Sequence, residues 1–408
     1  MSGRGTPGEP FDIVTALANP SGILGASVYG KKLVFFDKTY SGDFNTASNM
    51  DGNSETLMKL KSQSTGVKID GSIYIKSNYV LLEGFKIADL DFTDRETEET
   101  GSVPIDIPIR DGIRIEGYNC VIRNCIIYNT RQGLLSENVS GVNLIEDCIV
   151  FYNGWRAPDR GHGHGIYSGT VTIKNCVIFQ NFGYGLHGYL GGDSIVFENC
   201  IVFDNGEINN SPQTNIIVGG TEVATNFIVK NCQTYFRSIT AGSDQFIGLG
   251  NGGVIENNIF VSKLIRIIVG ETNTRIINNK FYGGLLDFTE AAYPNNTYST
   301  TRPETGSDIV IHPSDNYLDR AYVAIYNWAS ANTIEIDLST VTGLTVGDTV
   351  DIINVQDYFV DIQELILDAN KKIVVNMEAA NRTVATPQGW TAPLTTFPTF
   401  GCFVVEKK

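Results

Sequence analysis

Short apolar–polar alternations recur along most of the chain, separated by Gly, Asn and Asp. Seven phrases align: IRNCII, IEDCIV, IKNCVI, FENCIV, VKNCQT, IENNIF and INNKFY. One column of this alignment holds Cys125, Cys148, Cys176, Cys200 and Cys232, then Asn258 and Asn279, at intervals of 23, 28, 24, 32, 26 and 21 residues. A shortest interval with variable excess is what solenoid coils with loop insertions produce. The column before it reads Asn124, Asp147, Asn175, Asn199, Asn231, Asn257 and Asn278. Asn tolerates unusual backbone angles at a turn and bonds to the Asn of the next coil, so this column predicts a polar ladder. The apolar neighbours alternate with polar ones, and each strand therefore buries one face.

A second phrase repeats between these: DGIRIEG, QGLLSEN, HGIYSGT, YGLHGYL and TNIIVGG. Aligning the glycines, with Asn215 in the last, points Ile113, Leu134, Ile166, Leu186 and Ile216 inward. The strand period of two then points Arg114, Leu135, Tyr167, His187 and Ile217 outward, with Asp111, Gln132, His164, Tyr184 and Thr214 one step before the glycine. His164, Tyr167, Tyr184 and His187 should share one exposed patch on two successive coils. A slip of one residue would turn that patch inward.

The pattern begins and ends in different textures. Residues 1–30 are Gly- and Pro-rich with a helix-like stretch, PFDIVTALANP, and predict an N-terminal capping segment. The alternation KKLVFFDKTYSGDF opens a solenoid spanning 31–288, and 289–307 reads as a linker or capping loop. Beyond it AYVAIYNW, NTIEIDL, GDTVDIINV, KKIVVNM and GCFVVEK predict a compact antiparallel β-sandwich over 308–408. The fold class is all-β, a parallel solenoid followed by a small antiparallel sandwich.

Composition narrows the function. A net charge of −15 argues against general nucleic-acid binding and against adhesion to an anionic membrane. No apolar run is long enough to span a bilayer. The N-terminus, MSGRGTPGEPFDIVTA, lacks a signal peptide's basic and apolar regions, which fits a trimmed exoprotein or a protein released by lysis. The seven cysteines lack the C-x-x-C pairs that zinc requires. The five in the repeat read as a buried, reduced column.

Residues 153–187 concentrate His162, His164, His187, Trp155, Arg156, Asp159, Arg160, Tyr167 and Tyr184. The segment 110–187 carries seven Lys/Arg against six Asp/Glu, reversing the sign of the whole chain. Insertions at 153–163 and 205–214 flank the expected patch, and an acidic loop at 88–106 is expected to project from an earlier coil, with carboxylates that could hold calcium. His162 and His164 alternate on one segment and could chelate a metal, though no third ligand is evident. The bland roles are also open: His162 bonding to backbone in its turn, Asp159 pinning the loop through Arg156 or Arg160.

The coil length, the Asn ladder and the inward Ile/Leu/Val/Cys columns resemble the right-handed parallel β-helix of pectate-lyase-like proteins. The NGW turn followed by RAPDRGHGHGIY, and a sandwich beginning RAYVAIYNW, are similar to a group of bacterial and phage β-helix proteins. The resemblance implies two classes of function. One is an enzyme that binds an acidic polysaccharide and cleaves it by β-elimination. The other is a non-catalytic structural or receptor-binding subunit of a phage particle, tailspike-like, trimeric or partnered by other particle proteins. Either class places the protein outside the cell or on a virion. For the calcium that pectate lyases use, only Asp111 and Asp70 stand near the exposed face, and no other cofactor is expected. Elimination needs the uronate carboxylate neutralised, a base for the C5 proton and an acid for the leaving oxygen. Arg156, Arg160, Arg131 and Arg114 suit the first need, His164 or His187 the second, and Tyr167 or Tyr184 the third, with Trp155 to stack on a sugar.

Overall fold

The computed structural model describes residues 13–18, 30–48, 50–136, 141–189, 193–209, 213–219, 224–237, 244–269 and 274–408. Of the predicted capping segment, 1–12 and 19–29 lie outside the described residues. The helix Ile13–Ala18 places Leu17 in the solenoid's core, and Leu17 O accepts from Ala47 N.

Three parallel ladders wrap one apolar core and form a parallel β-helix. The back ladder runs through ten strands, from Lys32–Phe35 to Arg275–Ile277. The site ladder climbs from the end of Lys68–Ile75 through Ile113–Ile115, Leu134–Ser136, Ile166–Ser168, Leu186–Gly188 and Ile216–Val218. The docking ladder passes through Lys86–Ala88, Ile126–Tyr128, Ile149–Phe151, Val177–Phe179, Ile201–Phe203 and Gln233–Tyr235.

The repeat's two columns explain the corner between back and docking ladders. Asn124, Asp147, Asn175, Asn199, Asn231, Asn257 and Asn278 all have positive φ, between 51° and 59°, the left-handed region that Asn tolerates best among residues with a Cβ. That turn throws the next residue inward. Cys125, Cys148, Cys176, Cys200 and Cys232 are accordingly buried with free thiols, which donate to nearby carbonyls, as Cys176 Sγ does to Lys174 O at 3.2 Å. Burial pushes the Cys125, Cys148 and Cys200 thiols well up, so they stay protonated and inert. Where cysteine gives way to Asn258 and Asn279, the amides bond in a chain that ends on Asn296, each step 2.8 Å. Thr297–Ser299 then pairs in parallel with Lys280–Tyr282. The expected linker at 289–307 therefore contributes a last rung to the helix, because its Asn296 continues the interior row.

The C-terminal unit is a five-stranded antiparallel sheet ordered Asp308–Pro313, Arg320–Tyr326, Phe400–Lys407, Thr349–Asn354, Ile362–Ile366. One face packs on the strand pair Thr333–Asp337 and Lys372–Asn376 through Val323, Ile325, Ile336 and Val375. The other face lies along the docking ladder. There Tyr322, Tyr326 and Phe400 meet Phe179, Phe203 and Tyr235 in one core, with Tyr235 stacked on Phe400 at 4.5 Å between centroids. This unit covers the docking ladder's flank, and the outward residues Arg114, Leu135, Tyr167 and His187 of the site ladder remain partly exposed.

Candidate functional site

A second Asn ladder sets the site. Asn153, Asn181, Asn205 and Asn215 stand in a buried row at the corner between the docking and site ladders. Each Nδ2 donates to the next Oδ1 at 2.9 Å, and Thr130 Oγ1 donates to Asn153 at 2.7 Å. The glycine column runs beside this row. A Cβ on Gly133, Gly165 or Gly185 would lie 2.8, 2.8 or 2.6 Å from the amide nitrogens of Asn153, Asn181 and Asn205. Glycine is required there by close approach, and it fixes the register of the residues on either side.

That register matches the alignment residue for residue: Arg114, Leu135, Tyr167, His187 and Ile217 are Cα partners in successive strands. His164, Tyr167, Tyr184 and His187 form one cluster. His164 stacks on Tyr184 with centroids 4.9 Å apart and meets His187 edge-on at 4.9 Å. His187 lies 4.8 Å from Tyr167 and 5.0 Å from Tyr184. Tyr189, two residues beyond His187 and so on the same face, extends the cluster at 5.1 Å. The strand period would have found it.

The two imidazoles differ in what they can do. His164 is buried, its backbone N–H donates to Gln132 Oε1 at 2.6 Å, and its ring Nδ1 accepts the Tyr184 backbone N–H at 3.0 Å. Burial first, then His187 and Arg160, hold it well below the usual histidine range, so it is neutral. A neutral ring whose Nδ1 accepts must carry its proton on Nε2, making His164 a hydrogen-bond donor and not a base. His187 is also pushed down, to about 3, by burial and then by Arg160. Its Nδ1 is buried without a hydrogen-bond partner, while the residue as a whole stays partly exposed on the site ladder.

The predicted cations spread apart. Arg160 is one-third exposed, lies 6.0 Å from the Tyr184 ring, contacts Asp159 at 3.9 Å and donates to Gly161 O at 3.3 Å. Arg131 is forked onto Asp111 at 2.9 and 2.8 Å, Arg114 lies over Tyr74, and Arg156 pairs with Glu96 at 3.3 Å. Arg160 alone of these four contacts the ring cluster. Trp155 requires a correction: it is fully buried, stacked on His162 at 5.3 Å and packed with Phe92, Ile107, Ile109 and Ala157, so its indole is closed to a sugar. The acidic loop is exposed over most of its length but anchored through Phe92, which with Ile107 and Ile109 just beyond it clamps the hairpin made by Trp155–Arg156 and Gly161–His162. Arg95, hidden in that acidic run, is the clasp. Fully buried between Phe92 and Phe182, it donates to Gly154 O, Gln388 O and Asn129 Oδ1.

Asp70, Asp89 and Asp91 are the described residues grouped closely enough to hold a metal, with oxygens within 4.8 Å of one another. The Arg110 guanidinium sits among them, 2.7 Å from Asp89 and 2.8 Å from Asp91, and supplies the positive charge itself. His162 Nε2 is held by Asp159 at 3.0 Å, and His164 Nδ1 by a backbone N–H, so the pair is not set to chelate.

No family model matches the chain, and no curated protein matches its sequence. Among solved structures it is similar to the pectate lyase Pel9A, at 13% identity and a TM-score of 0.47 over 72% of this chain and 75% of that one. An alginate lyase from Paenibacillus sp. str. FPU-7 is similar at 16% identity and a TM-score of 0.39, covering 70% and 96%. The tailspike protein gp49 from Pseudomonas phage LKA1 is similar at 10% identity and a TM-score of 0.34, covering 92% and 64%. The architecture itself rests on the strand pairing described above.

Proposed function

We propose that this β-helix binds an acidic polysaccharide across the His164–Tyr167–Tyr184–His187 cluster and cleaves it by β-elimination. The observation that carries the reading is the partly exposed His187 packed edge-on, at 4.9 Å, against a neutral His164 whose ring can only donate. His187 takes the C5 proton. His164 Nε2–H and the Arg160 guanidinium bind the uronate carboxylate and stabilise the charge that develops on it. The C4–O bond breaks as the C4–C5 double bond forms, and the hydroxyl of Tyr167 or Tyr184 protonates the departing oxygen. The carboxylate's arrival beside Arg160 offsets the smaller of the two causes that depress His187, burial being the larger. Such a protein works outside the cell or on a virion. No helix among the described residues is long and apolar enough to cross a membrane.

The second reading is a structural or receptor-binding subunit of a phage particle, whose aromatic cluster holds a sugar without chemistry. The closeness of the rings favours it, since His164, Tyr167, Tyr184 and His187 already pack against one another at 4.8–5.5 Å between centroids. Incubation with a panel of uronate polysaccharides separates the two. Unsaturated sugar products that vanish with His164→Ala support the elimination. Binding without product from any polymer, together with particle association or trimerisation, supports the subunit.

A further inference from the structure

A cavity of about 130 Å³ opens where Gln180 and Asp204, each one residue before a member of the buried Asn row, face the C-terminal tail. Gln180, Asp204, Glu207 and Arg237 line its inner wall, and Pro393 and Leu394 its rim. Three polar atoms on that wall are buried and have no hydrogen-bond partner: Gln180 Oε1, Glu207 Oε1 and Arg237 Nε. Gln180 is 1% exposed, so water outside the cavity cannot satisfy it. Buried polar groups left in this state point to a guest.

The set of atoms defines the guest. Two unpaired acceptors argue against an anion. The Arg237 guanidinium, 3.7 Å from the other oxygen of Glu207, argues against a metal dication. A group that both donates and accepts meets all three atoms, and vicinal hydroxyls do so with one rigid edge. Leu394, 66% exposed at the rim, offers an apolar surface that water alone does not call for. We infer that this cavity is a second carbohydrate site, which takes the vicinal-diol edge of one neutral sugar residue and lays its C–H face against Pro393 and Leu394. Asp204 fits the assignment. It is fully buried, its Oδ1 accepts Arg237 N at 2.6 Å, and burial lifts it to about 7, so part of the population keeps a proton and adds no fixed charge at neutrality.

The test is calorimetric titration of the full chain with the methyl glycosides of glucose, galactose and mannose, and separately with calcium chloride. At least one glycoside should bind. Glu207→Gln and Leu394→Ala should each weaken it, the former about tenfold through loss of one charged acceptor. The rim variant leaves the buried wall intact and guards against a folding artefact. His187→Gln should leave glycoside affinity unchanged, which separates this site from the groove. Failure of all three glycosides, calcium binding in their place, or glycoside binding indifferent to both Glu207→Gln and Leu394→Ala would each overturn the assignment.

Discussion

Replacing Asn181 by alanine should cost far more than its modest change in volume. Asn181 Oδ1 accepts two hydrogen bonds from Asn153, at 3.1 Å from its backbone N–H and 2.9 Å from its Nδ2. Its own Nδ2 donates to Asn205 Oδ1 at 2.9 Å. All three residues are at most 1% exposed, so water cannot replace the missing oxygen. Two orphaned buried donors, at roughly 1–3 kcal/mol each, predict a loss of about 3–5 kcal/mol with the cavity included. The control is Asn199→Gly in the outer ladder. That position has φ 55°, which glycine adopts freely, and its two ladder bonds, to Asn175 Oδ1 and from Asn231 Nδ2, each 3.0 Å, are only partly buried. Their loss should cost about 1 kcal/mol. Denaturant unfolding of both variants against wild type measures the difference. Equal losses would refute the claim that the inner row, not the outer one, holds the coils in register.

Other consequences follow from burial. Cys200→Ser should destabilise by about 1–3 kcal/mol, and native protein should resist thiol reagents until unfolded; rapid labelling of the native state would contradict the inward column. Trp155→Ala should cost about 3–5 kcal/mol and free the hairpin that carries Arg160, seen as faster proteolysis within 153–163. His187 is neutral when folded down to about pH 3 but takes a proton near 6.5 when unfolded, so the unfolded state binds more protons between those values. Stability should therefore fall as pH falls across that window, by up to ~1.4 kcal/mol per pH unit for this group. The stability gap between wild type and His187→Gln should narrow on acidification, and parallel curves would count against the burial. Asp204 acts oppositely: lifted to about 7 from 3.8, it should cost stability as pH rises between those values, and Asp204→Asn should remove that slope.

The repeat columns were legible because strand periodicity and positive-φ Asn leave a mark at every coil. Inward Cys125 to Cys232, outward Tyr167 and His187, and the turn column all follow from two alignments. The clustering of His164 and Tyr184 followed too, since glycines that abut Asn181 and Asn205 cannot slip. What failed was the reading of loops, where no period constrains the side chain. Trp155 lies in an insertion whose apolar contacts, Phe92 and Ile107, come from a loop that reads as acidic and solvated. Arg95 was invisible for the same reason, its partners Gly154 O and Gln388 O being backbone atoms far away in sequence. The buried Asn153–Asn215 row leaves no such mark in the sequence, because Asn153, Asn181 and Asn205 stand at uneven intervals beyond the docking strands and Asn215 comes from the far side of an insertion. The donor role of His164 depends on one backbone N–H, which no sequence displays.

The assignment of His187 as the base is the claim on which the account turns. The decisive measurement sets turnover against affinity for His187→Gln, on whichever uronate polysaccharide wild type converts to unsaturated product. The account predicts a fall in kcat of at least ~100-fold with Kd nearly unchanged, because the base acts in the transition state and Arg160 with His164 still holds the carboxylate. Unchanged kcat in His187→Gln, or a loss confined to affinity, would contradict it.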